Sequence, residues 1–102
     1  MESPSLIFAS AVRSLAAAAR ARGLSVPAFR TPPRLPGADR TLRRRTDGST
    51  TIAVVVRGRP QQAVIADLIE GIVVANGLDG AEATRVRTHL WAAVVGGRDV
   101  AA

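Results

Sequence analysis

Four kinds of side chain in this 102-residue chain could do chemistry: a carboxylate pair, one histidine, scattered hydroxyls and a set of arginines. Asp67 and Glu70 lie three apart, which makes them neighbours on a helix surface. Such a pair could hold a hydrated magnesium ion or share acid–base work. The simpler expectation is a solvated helix edge, or partners inside the fold for the arginine-rich segments. His89 is the sole histidine and there is no cysteine, so a transition-metal site lacks its usual ligands. The hydroxyls sit in no nucleophile elbow, and neither a P-loop nor a dinucleotide fingerprint is present. In Arg57-Gly58-Arg59-Pro60 the glycine reads as a strand-end kink. No catalytic residue, metal or cofactor is expected, and the chain reads as non-enzymatic.

The arginines are the more informative set. Every one of the fourteen basic residues is Arg, and eleven of them fall before residue 61 against three acids, a balance of +8. Residues 61–102 hold three arginines against five acids, a balance of −2. The choice of Arg over Lys fits a GC-rich bacterial coding bias, but coding bias does not explain the uneven placement. A basic half points to a polyanion. Arg43, Arg44 and Arg45 are consecutive, Arg57 and Arg59 flank a glycine, and Arg30, Arg34 and Arg40 punctuate a proline-rich stretch. A planar guanidinium grips phosphate with two hydrogen bonds, so these eight residues form the expected nucleic-acid-binding set, for DNA or RNA. With only 3% aromatic residues, stacking on bases is not expected.

The elements that must position them start from Asp47-Gly48, which signals a type I′ hairpin turn. That turn would set Arg45 opposite Thr50, Arg44 opposite Thr51 and Arg43 opposite Ile52. The second arm, through the unbroken run Ile52 to Val56, reads as a strand covered on both faces. Residues 24–40 contain Pro27, Pro32, Pro33 and Pro36, which forbid a helix and favour an extended arm. Ala28 to Arg30 is placed to add a short third strand.

Helices flank the hairpin. Residues 4–22 carry Ile7, Phe8, Ala11, Val12, Leu15, Ala18 and Ala19 on one face, with Ser3 as cap and Gly23 as stop. Residues 60–76 are apolar nearly all round. Asp79 opens a third helix, with Glu82 as its capping-box partner; Val86, Leu90, Ala93 and Val94 face inward, and Gly96-Gly97 ends it before a short tail. The expected order is α-β-β-α-α: one α+β domain with an Arg-rich hairpin against helices. Glu2 and Arg13 argue against a secretory signal and a membrane span; an Arg-rich transit segment is the alternative reading of the N-terminus. The expected location is the bacterial cytoplasm. Val73, Val74, Trp91 and Val95 lie off the core stripes and mark the expected interface of a homodimer. The competing functional reading is therefore a protein–protein module, or a subunit of a larger assembly, docking through its apolar helical half.

Overall fold

The computed structural model describes the backbone of residues 4–101 and the side chains of residues 8–95. Its order is α1 (Pro4–Ala21), β1 (Ala28–Arg30), β2 (Arg40–Arg44), β3 (Thr50–Val54), α2 (Gln61–Ala75) and α3 (Gly80–Ala101). This is a mixed α+β domain, and the short third strand is present. The strands lie in the order β1-β3-β2, with β1 parallel and β2 antiparallel to the central β3.

Helix α2 is the centre of the molecule. Val64, Ile65, Leu68, Ile69, Ile72 and Val73 on it are buried. They meet Ala11, Leu15 and Ala19 of α1, Ile52 and Val54 of β3, and Ala83, Val86, Leu90 and Val94 of α3. A helix covered by a sheet on one side and two helices on the others needs apolar residues around most of its girth, as its sequence has. Gly71 sets the closest approach: a Cβ built there would stand 3.0 Å from Cγ2 of Ile52. The missing side chain lets helix and strand come together.

Two glycines end helices by the same device. Gly23 has φ 74°; its N–H donates to the Arg20 carbonyl and that of Leu24 to the Ala19 carbonyl. Gly77 has φ 66°, with the Gly77 N–H donating to Val74 O and the Leu78 N–H to Val73 O. Both are Schellman motifs, and the half-buried Leu24 and Leu78 seal them against the core. Asn76 then ties the two ends together. Its Nδ2 donates to the carbonyls of Ser25 and Ile72, and its Oδ1 accepts the Ser25 N–H at 2.9 Å.

Three expectations change. Helix α3 runs through Gly96-Gly97 to Ala101 instead of stopping there. No hydrogen bond to the Asp79 or Glu82 side chain forms among the described residues; Gly80, at φ 55°, bends the backbone where a capping box would close. Strand β3 is covered on one face only: Ile52 and Val54 are buried while Thr51 and Ala53 are partly exposed. The Ser3 cap lies outside the described residues. Among them, no helix is long and apolar enough to cross a membrane.

Candidate nucleic-acid interface

The hairpin turn is built from Thr46, Asp47 and Gly48, one residue longer than a type I′ loop. The Gly48 N–H donates to the Arg45 carbonyl at 3.0 Å, and the Arg45 N–H to the Ser49 carbonyl at 2.8 Å. Only Gly48, at φ 88°, is left-handed. This is a type I turn followed by a left-handed glycine, the usual three-residue hairpin. Asp47 instead spends its carboxylate locally: Oδ1 accepts from the Ser49 N–H at 2.9 Å and from Ser49 Oγ at 2.7 Å. The Ser49 hydroxyl, then its N–H, hold the Asp47 carboxyl below its ordinary pKa.

The extra turn residue shifts the register by one. Arg44 pairs with Thr50, Arg43 with Thr51, Leu42 with Ile52, Thr41 with Ala53 and Arg40 with Val54. A slip of one residue exchanges the faces of a strand. Leu42, not Arg43, therefore shares the inner face with Ile52. Arg43 and Thr41 fall on the outer face, in rows with Thr51 and Ala53.

On the other edge, Phe29 pairs with Ile52 and Arg30 with Ala53. The only aromatic side chain of the sheet is thus turned inward, half-buried on the core, while Arg30 is exposed on the outer face. That face has a floor of small residues, Ala28, Thr51, Ala53 and Thr41. Arg30 and Arg43 stand at opposite corners, roughly 12 Å apart at Cα from ideal strand spacing. Thr41 and Thr51, whose hydroxyls can donate to phosphate oxygens, join the basic set here. Their place on this face follows from the register, which the sequence reading had one residue out.

At the open end of the hairpin the arginines are used internally. Arg40 Nη1 donates to Asp67 Oδ1 at 2.7 Å. Arg59 Nη1 lies 2.7 Å from Asp67 Oδ2, off-line for a hydrogen bond, and donates to the Val55 carbonyl. Asp39 adds a longer contact to Arg59 Nε at 3.8 Å. Two cations and two anions cancel, so Arg40 and Arg59 do not extend an open basic stripe. Glu70 is likewise engaged: Arg87 donates to it through Nε and Nη2. Glu70, first by hydrogen bonding and then by charge, raises the Arg87 guanidinium above its usual value. Both carboxylates of α2 are thus ion-paired to arginine, and no cluster of three or more metal-ligating side chains occurs among the described residues.

Arg30, Arg34, Arg43, Arg44, Arg45 and Arg57 are exposed and make no ion pair among the described residues. Arg43, Arg44 and Arg45 sit together at the hairpin tip. Arg30, Arg34 and Arg57 lie toward the other end.

The expected apolar interface is thinned. Val73 is 1% exposed, held in the core by its turn of α2, and Trp91 is half-buried against the same cluster. Val74 and Val95 are exposed, at 48% and 51%. Because α2 and α3 double back at residues 76–79, with Glu70 beside Arg87, these two valines lie roughly 18 Å apart along the helix pair. They make two spots, not one patch. The chain matches no family model, no curated protein and no solved structure.

Proposed function

We propose that this chain is a non-enzymatic nucleic-acid-binding protein that grips the phosphate backbone with its hairpin tip and the outer face of its sheet. The observation that carries this is the division among its arginines. Those at the hairpin base are neutralised within the fold, whereas Arg30 and Arg43 are exposed beside a floor of small side chains and Arg44 and Arg45 are exposed at the hairpin tip. Exposed arginines that make no ion pair among the described residues are open to bidentate contact with phosphate and release counterions as they bind.

The inward turn of Phe29 removes the platform on which single-stranded bases stack, which favours a duplex. Such contacts hold position and carry no sequence information. The test is binding to duplex DNA, duplex RNA and single strands over a salt series, with Arg43, Arg44 and Arg45 changed to Ala as the comparison.

A further inference from the structure

An open groove of about 790 Å³ lies between the N-terminal half of α1, the Pro32-Pro33 segment and the first turns of α2. That volume falls in the range of small-molecule sites, about 300–1,000 Å³. Its floor is apolar, made by Phe8, Ala11, Val64, Ile65 and Leu68. Its mouth is the loop Arg57–Pro60 with Gln61.

The two charged side chains that line the mouth are both arginines. The Arg59 guanidinium is committed to Asp67, to Asp39 and to the Val55 carbonyl. Arg57 is exposed and makes no ion pair among the described residues. Helix α2 has Pro60 at its N-cap position, with no side-chain cap and no acid in its first turn. The N–H groups of Gln61, Gln62 and Ala63 have no acceptor among the described residues. Unused donors and a cation thus stand at one end of an apolar trough. This combination complements a molecule with an anionic head and an apolar tail, and it repels a cationic amphiphile.

We infer that the groove binds a monomeric single-chain amphiphile with an anionic head, of the long-chain carboxylate class. The tail lies along the partly exposed Phe8 and Val56, over the buried Ile65 and Leu68, and the head rests at Arg57. Arg57 belongs to the basic set of the sheet end, but the hairpin-tip reading does not depend on this site.

Calorimetric titration of the whole chain with dodecanoate below its micellar concentration tests the inference, with dodecyl phosphate, 1-dodecanol and acetate as companions. Saturable one-to-one binding of dodecanoate is expected, with no binding of acetate. Dodecyl phosphate binding alongside dodecanoate means that the site reads negative charge in general; binding of dodecyl phosphate alone overturns the carboxylate assignment. Arg57→Gln should weaken dodecanoate by up to about fivefold, the worth of an exposed ion pair, and leave 1-dodecanol unchanged. Ala11→Leu, which narrows the floor, should weaken both by more than about tenfold. Methyl NMR on the unaltered chain keeps the test independent of that variant's folding. Val56 and Val64 signals should move with ligand while those of Val74 and Val95 stay fixed. Absence of saturable binding, indifference to Arg57→Gln, or shifts confined to the surface valines overturns the inference.

Discussion

Asp67 and Arg40, twenty-seven residues apart, meet with 2.7 Å between Oδ1 and Nη1, and the other oxygen of the same carboxylate is 2.7 Å from Arg59. One acid on the central helix thereby ties down the start of β2 and the loop that leads into α2. It also neutralises two arginines, the exposed Arg40 and the partly buried Arg59. Stability and surface charge are set by the same side chain.

Asp67→Asn separates these roles. The substitution leaves the partly buried Arg59 and the exposed Arg40 without their anion and should destabilise the fold by about 2 kcal/mol, most of it from Arg59. It should also raise affinity for duplex nucleic acid and steepen the salt slope by about 1 to 2, as Arg40 and Arg59 become available. Chemical denaturation and a salt-dependent binding assay read the two effects. Lower stability with unchanged binding would mean that the released arginines do not reach the polyanion.

Gly71→Ala tests the seating of the sheet on α2. Alanine favours helix over glycine by about 1 kcal/mol. Here its Cβ would meet Cγ2 and Cγ1 of Ile52 at 3.0 and 3.1 Å. Overpacking should win, for a net loss of about 1–2 kcal/mol. Combined with Ile52→Ala, the cost should fall short of the sum of the single changes, because the two sites share one contact.

Asn76→Ala removes a three-way clamp on Ser25 and Ile72. A loss of about 1–2 kcal/mol is expected, with faster amide exchange at Ser25, whose N–H loses its acceptor. Unchanged Ser25 exchange would show that the Schellman ends hold the α1–β1 connection without help.

Asp47 gives the hairpin a pH response. Its folded-state pKa lies below the unfolded value, so its contribution is fully present above the ordinary aspartate value of about 3.9. It is lost as pH falls through the lower folded value. Hydrogen exchange at Ser49 should therefore stay slow at neutral pH and lose protection below about pH 4. In Asp47→Ala that titration should be absent.

Much of the fold was legible from periodicity and punctuation. The α1 stripe from Phe8 to Ala19, the all-round apolar α2, the stop at Gly23 and the strand Ala28–Arg30 all follow from local residue chemistry, and all stand in the structure. What misled was local ambiguity. Asp47-Gly48 fits a two-residue turn as well as the end of a three-residue one, and only the second lets Asp47 keep φ negative while bonding Ser49. That single residue decided whether Arg43 or Leu42 faces Ile52.

A continuous run such as Ile52–Val56 does not reveal whether its second face is covered, because β-branched residues and alanine suit a half-exposed central strand as well as a buried one. Val73 escaped for a related reason: on a helix packed on three sides, wheel position alone does not identify the exposed strip. The loss of Arg40 and Arg59 from the basic stripe depends on Asp67, distant in sequence, and the spacing of Asp67 and Glu70 gave only the hint of an internal partner.

The account rests most directly on the hairpin tip. The decisive measurement is the slope of log K against log salt for a short DNA duplex, taken with the unaltered chain and with Arg43, Arg44 and Arg45 changed to Ala. The account predicts measurable binding at low salt and a slope flatter by about 2–3 in the triple variant, the counterions released by three phosphate contacts. Equal slopes, or no binding by the unaltered chain at low salt, would contradict it.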